Sequence, residues 1–79
     1  EELRRQIVKS LGDTVEEAKI SLRNIRHDAI KEVKRARDAK EASDDDVKRT
    51  ETQVTEIINE YNNKVDALAK AKETEIMAL

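Results

Sequence analysis

The sequence predicts an all-α protein, an antiparallel hairpin of two long amphipathic helices. Apolar residues recur at steps of three and four along both halves of the chain, which is the period of a helix. There is no Pro, one Gly and a single aromatic residue, Tyr61. Strands need clusters of β-branched and aromatic side chains between turn residues, and these are lacking. With 37% apolar and 43% charged residues, the composition is typical of long exposed helices.

The first helix is predicted over about residues 2–39. A near-seven-residue apolar repeat of the kind found here forms a narrow coiled-coil seam. At 1.5 Å per residue such a helix is roughly 55 Å long. Gly12 weakens its first third by about 1 kcal/mol relative to Ala. The seam positions are Leu3, Ile7, Leu11, Val15, Ala18, Leu22, Ile25, Ala29, Val33 and Ala36.

A turn over about residues 40–43 and a second helix over about residues 43–79 complete the hairpin. The Ser43 hydroxyl can accept a hydrogen bond from the first turn of the helix, and the three Asp residues that follow favour its positive end. The link is too short for a crossover, so the helices must be antiparallel neighbours. The second seam is interrupted by Lys72 and consists of Val47, Val54, Ile57, Ile58, Tyr61, Val65, Leu68, Ile76 and Leu79.

Two helices alone bury little apolar area. At about 25 cal/mol per Å² their seam barely offsets the conformational entropy lost on ordering the chain. A further helix is therefore expected, either from another part of the same protein or from a second copy. The chain begins with Glu1 and not Met, so it is expected to start inside a longer product or to have been trimmed. Alone, it should self-associate as an antiparallel dimer that forms a four-helix bundle.

The net charge of −2 conceals a basic segment in the first helix. A phosphate backbone requires such a segment, and the planar guanidinium of Arg can bind two phosphate oxygens. The acidic residues of this segment lie on other faces, which predicts an uncompensated positive surface. A solvated face with local ion pairs, such as Asp28–Lys31 or Glu32–Arg35, is the alternative. We call the following set the basic stripe: Lys19, Arg23, Arg26, His27, Lys34 and Arg37.

Other kinds of site find little support. No apolar run approaches the roughly 20 residues of a membrane span, and an anionic membrane surface is disfavoured because the helices lack large apolar anchors. The only histidine, His27, has scattered carboxylates as its possible co-ligands, so no metal site is predicted. No Ser has a His base nearby, and there is no glycine-rich phosphate loop, so neither an enzyme nor a cofactor is expected. Tyr61 is predicted to be a core residue with its hydroxyl at the edge.

Three ordered segments of the chain match the signatures of one protein family. The centre of the first segment is Arg23-Asn24-Ile25-Arg26 followed by Asp28-Ala29, which resembles the pattern R-N-[VI]-R-x-D-A. The second segment, residues 40–46, resembles the family's turn and helix start, and the third, residues 72–77, its C-terminal ending. Because order and spacing agree along the chain, the sequence resembles ribosome recycling factor.

The resemblance implies an L-shaped protein with a long three-helix bundle and a small β-rich domain. Residues 1–79 match only the last two helices of the bundle, so they would form a partial bundle domain without the first helix and the β domain. The family is cytoplasmic. With elongation factor G and GTP hydrolysis, it dissociates post-termination ribosomes for recycling, and it catalyses no covalent chemistry itself.

The family's bundle contacts large-subunit ribosomal RNA through the arginines of the signature. The resemblance therefore implies RNA contacts by Arg23 and Arg26, with Asn24 and Asp28 beside them. At position 27, where many members have Arg, this chain has His. The basic stripe adds Lys19, Lys34 and Arg37 as candidate RNA-binding residues. The alternative function is a structural coiled-coil module that pairs only with protein and has no RNA role.

Overall fold

The computed structural model describes all 79 residues and contains two helices and no strand. Helix α1 spans Glu2–Asp38 and helix α2 spans Asp44–Ala78, each within about one residue of the expected limits. The helices pack side by side along their lengths, and the molecule measures 59 × 16 × 10 Å. This confirms the predicted all-α antiparallel hairpin.

The end of α1 is a Schellman motif formed without glycine. The backbone N–H of Glu41 donates to the carbonyl of Ala36 at 2.8 Å, and that of Lys40 donates to Arg37 at 2.9 Å. The motif requires a left-handed residue just after the helix, and Lys40 adopts this conformation with φ 62°. The turn therefore reverses the chain at the cost of one strained non-glycine residue.

The start of α2 is a reciprocal capping box. The backbone N–H of Asp46 donates to the Ser43 hydroxyl at 3.0 Å, and the Ser43 N–H donates to the Asp46 carboxylate at 2.9 Å. These bonds satisfy backbone donors that a helix start leaves free. They also lower the pKa of Asp46, because both groups of Ser43 favour its charged form.

The core between the helices is small. Only three side chains are buried, all from α2: Val47, Ile58 and Ile76. α1 contributes half-buried residues such as Val15, Leu22 and Val33. A compact protein of 9.1 kDa exposes about 4,900 Å², whereas this chain exposes 6199 Å². The hairpin thus leaves more surface in water than a compact protein of its mass, and this surface includes large apolar side chains such as Ile25 and Leu68.

Several predicted seam residues are not in the contact between the helices. This part of the prediction is wrong because each apolar stripe is wider than the strip that one neighbouring helix can cover. Tyr61, predicted to lie in the core, is 49% exposed, and the Lys64 ammonium lies 5.0 Å from its ring centroid. The other exposed seam residues are Leu3, Ile7, Ile25, Ile57, Leu68 and Leu79.

The exposed part of the seam forms an apolar groove along one side of the hairpin. Leu11 and Ala18 of α1 line it opposite Val65 and Leu68 of α2. Ile25 lies two helical turns beyond Ala18 on the same face of α1. We call this surface the apolar groove. It is the face on which a further helix could bury apolar area.

Gly12 lies within α1, and the substitution Gly12→Ala is expected to stabilise the hairpin by about 1 kcal/mol, because Gly lowers helix propensity by this amount. No atom lies within 4 Å of a Cβ built at this position, so the new methyl group meets no obstacle. Urea unfolding followed by circular dichroism measures the change. The exposed Ala67→Gly in α2 is the matched control and should lose a similar amount. A less stable Gly12→Ala variant would contradict the prediction.

The capping box predicts a specific loss of stability in acid. The folded pKa of Asp46 lies below its ordinary value of 3.8, so its carboxylate stabilises the hairpin above that pH. This contribution is lost as the pH falls through the lowered value. Thermal melts at about pH 7 and about pH 2 should show that Asp46→Asn lowers the melting temperature more at the higher pH than at the lower. Asp45→Asn controls for charge at the same helix end, and equal effects of the two variants would rule out the capping role.

Candidate nucleic-acid interface

The two edges of the contact surface of α1 differ in chemistry. Ala18 lies at the apolar groove, and the next residue, Lys19, lies about 100° further around the helix. Arg26 follows seven residues after Lys19 on the same side. The basic stripe therefore lies on the side of the helix contact opposite to the apolar groove. A polyanion on the stripe and a helix in the groove would not compete for space.

Lys19 is held by an acidic residue of α2. Its ammonium lies 2.7 Å from the Asp66 carboxylate, and 30% of the Lys19 side chain is exposed. The hydrogen bond to Asp66 raises the pKa of Lys19, against a smaller effect of desolvation. Lys19 remains cationic, but the Asp66 carboxylate balances much of its charge.

Two further members of the basic stripe also have carboxylate partners. Lys34 lies 3.9 Å from Glu51, and Arg37 lies 3.3 Å from Asp38 and 3.6 Å from Asp44. The prediction of an uncompensated stripe is therefore wrong for three of its residues. It considered only the acidic residues of the first helix, whereas most of the partners come from α2. Of the two local pairs named under the alternative of a solvated face, Glu32–Arg35 is present at 2.8 Å, and Asp28–Lys31 forms no ion pair.

Arg26 is joined to α2 by a neutral partner. Its Nε donates a hydrogen bond to Thr55 Oγ1 at 2.9 Å in a partly buried setting. No carboxylate lies within ion-pair distance of Arg26, although carboxylates lie near Lys19, Lys34 and Arg37. A hydroxyl leaves the guanidinium charge uncompensated, and the terminal Nη1 and Nη2 groups stay free to bind an anion.

Arg23 and its neighbours lie on the outer surface of α1. Arg23, Asn24 and Asp28 are exposed, and none of the three forms a hydrogen bond or an ion pair through its side chain. His27 is also exposed, beside Lys31 and Lys34. The structure thus brings Arg23 and Arg26 together as the two arginines of the stripe without a carboxylate partner.

Sequence reasoning missed Thr55, Glu51 and Asp66 because it assessed the stripe on a single helix. The short turn between the helices would have been enough to predict which residues of α2 lie opposite the stripe. Since the link is short and the helices run antiparallel, each turn forward along α1 corresponds to one turn back along α2. Counting outward from the turn places Thr55 opposite Arg26 and Asp66 close to Lys19.

The structure presents few features suited to other chemistry. No group of three or more His, Cys, Asp or Glu side chains is placed to hold a metal ion. Neither helix has an apolar stretch long enough to cross a bilayer. The one buried side-chain atom without a hydrogen-bond partner is Oδ1 of Asn62, on α2 one turn before Asp66. The basic stripe is therefore the surface with the clearest binding chemistry.

Comparison with known proteins places these features in a family. The sequence model described as Ribosome recycling factor matches residues 1–77. The ribosome-recycling factor of Thermomicrobium roseum is 42% identical over 79 residues, which cover 100% of this chain and 43% of the relative. That of Lactococcus lactis subsp. cremoris is 39% identical over 77 residues, covering 98% of this chain and 42% of the relative.

A third relative gives the same result. The ribosome-recycling factor of Erythrobacter litoralis is 42% identical over 77 residues, covering 98% of this chain and 42% of the relative. No solved structure matches the chain at a significant level. The chain spans about two fifths of the length of these curated relatives. Since the family model covers nearly all of the hairpin, this chain belongs to the ribosome recycling factor family.

Proposed function

We propose that this hairpin is the part of a ribosome recycling factor that binds ribosomal RNA of the large subunit. With elongation factor G, the intact factor would then dissociate post-termination ribosomes in the cytoplasm, without covalent chemistry of its own. The observation that carries the RNA contact is the pair Arg23 and Arg26. Lys19, Lys34 and Arg37 of the basic stripe have carboxylate partners, whereas the guanidinium groups of Arg23 and Arg26 have none.

Charge and geometry support a phosphate ligand at this pair. Arg23 and Arg26 lie three residues apart, so their side chains leave α1 on the same side. A guanidinium group can bind two oxygens of one phosphate, and its charge does not titrate in the physiological range. Asn24 and Asp28 lie on the adjoining surface, where they could contact bases or sugars, or support the arginines.

Lys19, Lys34 and Arg37 have a secondary role in this proposal. Each would have to weaken an existing ion pair before it could bind phosphate, so each gains less from RNA than a free arginine. They still contribute to the long-range field that attracts a polyanion. The family match favours this function over the alternative of a structural coiled-coil module, which requires no unpaired arginines.

The role of Arg26 is tested by Arg26→Ala in the intact factor that carries this segment. Loss of a charge-assisted contact should weaken binding to large ribosomal subunits by about 1–3 kcal/mol. The control is Arg35→Ala, because the Arg35 guanidinium already donates to Glu32 at 2.8 Å. Both variants remove one positive charge from α1, but only the first removes a guanidinium group that has no carboxylate partner.

Filter binding at two salt concentrations completes this test. The affinity of the unaltered factor for RNA should fall steeply as the salt concentration rises. In Arg26→Ala, the slope of log affinity against log salt concentration should be smaller by about 1, which corresponds to the loss of one phosphate contact. If the Arg26 and Arg35 variants lose RNA affinity equally, the effect comes from the change in net charge and not from a specific contact of Arg26. Absence of RNA binding even at low salt would favour the coiled-coil alternative.

We also propose that the isolated chain forms an antiparallel dimer through the apolar groove. When only this chain is present, a second copy is the available partner that can cover the groove. The groove of that copy presents matching aliphatic side chains. Burial of the exposed apolar side chains along the groove, such as Ile25 and Leu68, supplies the driving force. In relatives of more than twice this length, a further segment of the same chain could occupy the groove instead.

Light scattering should report a dimer for the unaltered chain. Ile25→Glu places a charge on the groove face and should give monomers. Ile20→Glu is its matched control, because Ile20 is similarly exposed, at 48% against 58%, but lies on another face of α1. A well-folded monomer of the unaltered chain would exclude the dimer, and dissociation by Ile20→Glu would exclude the groove as its interface.

A further inference from the structure

We infer that Thr55 is a positioning residue for Arg26, holding its guanidinium group ready for a phosphate ligand through a hydrogen bond between the two helices. The inference rests on the function proposed above and extends it from α1 to α2. Its basis is the 2.9 Å hydrogen bond from Arg26 Nε to Thr55 Oγ1. No other stripe arginine is held by a neutral group of the opposite helix.

A hydroxyl partner matters because it leaves the charge and the terminal amino groups of Arg26 available to a phosphate. A carboxylate would orient Arg26 equally well, but it would also neutralise the charge that a phosphate needs. A hydroxyl oxygen accepts from Nε and brings no opposing charge. Since Nε is the donor that Thr55 uses, both terminal amino groups remain free. Thr55 thus restricts the side chain without competing with the anion for its charge.

The position of the bond explains how it can restrict so long a side chain. Thr55 lies in the half-buried strip of α2 that faces α1, so its own side chain is confined by packing. Its β-branched side chain has few rotamers. Arg26 also lies in this strip, whereas Arg23 is exposed and has no such partner. Holding Arg26 before binding lowers the entropy lost when RNA binds.

The inference predicts a definite order of affinities. In the intact factor, Thr55→Val keeps the shape of the side chain but removes the acceptor, and should weaken binding to large ribosomal subunits by about fivefold. Thr55→Ser keeps a hydroxyl and should restore most of the affinity. Thr52→Val, an exposed threonine one turn earlier on the same helix, is the matched control and should bind as the unaltered factor does.

A double-mutant cycle separates positioning from a general effect on the fold. If Thr55 acts through Arg26, then Thr55→Val should change nothing further in a factor that already carries Arg26→Ala. A purely structural role would weaken both backgrounds alike. Proton exchange of the Arg26 Nε–H group, followed by NMR, gives a readout without RNA. Exchange should be slow with Thr or Ser at position 55 and fast with Val.

The outcomes distinguish this inference from the proposed function. Weaker binding by Arg26→Ala together with unchanged binding by Thr55→Val would overturn the positioning role and leave the RNA contact in place. Equal losses from Thr55→Val in both backgrounds would also overturn it. Unchanged binding by Arg26→Ala would defeat the proposed RNA contact, and the positioning role with it.

Discussion

The register between the two helices is the constraint on which the rest of the structure depends. It is set in five residues, where the Schellman motif ends α1 at Asp38 and the capping box begins α2 at Asp44. These hydrogen bonds fix where each helix ends, and the following apolar contacts can then form in only one alignment. A shift of one turn would take Asp66 away from Lys19 and Thr55 away from Arg26. The chemistry of the basic stripe is therefore decided at the far end of the hairpin.

The register also divides the hairpin into two working sides. One side carries aliphatic residues that a third helix or a second copy can cover. The other carries the cations, most of which are balanced by acidic residues of α2. This arrangement keeps the overall charge near neutral, at −2, while leaving a local excess at Arg23 and Arg26. In the proposed RNA contact, these two arginines would therefore contribute more affinity than the paired cations of the stripe.

Most of the fold could be predicted from the sequence because its signals are local. The spacing of the apolar residues indicates the helices, and Ser43 with the following aspartates indicates the start of α2. The turn was placed correctly, although Lys40 gives no sequence sign of its left-handed conformation. The side-chain partners were less predictable, since they depend on two helices at once. Asp66 and Thr55 carry no distinguishing motif and acquire a role only when the register places them beside Lys19 and Arg26.

The hydrogen bond from Arg26 has a consequence for the direction from which an anion can arrive. A free guanidinium group offers two binding edges, a lateral edge formed by Nε and one Nη, and an end edge formed by both Nη groups. Thr55 occupies Nε, so the lateral edge of Arg26 is closed and only the end edge remains. A phosphate must then approach along the long axis of the side chain, whereas Arg23 accepts either approach. The pair would therefore hold a nucleic-acid strand in a preferred orientation and not simply at a preferred place.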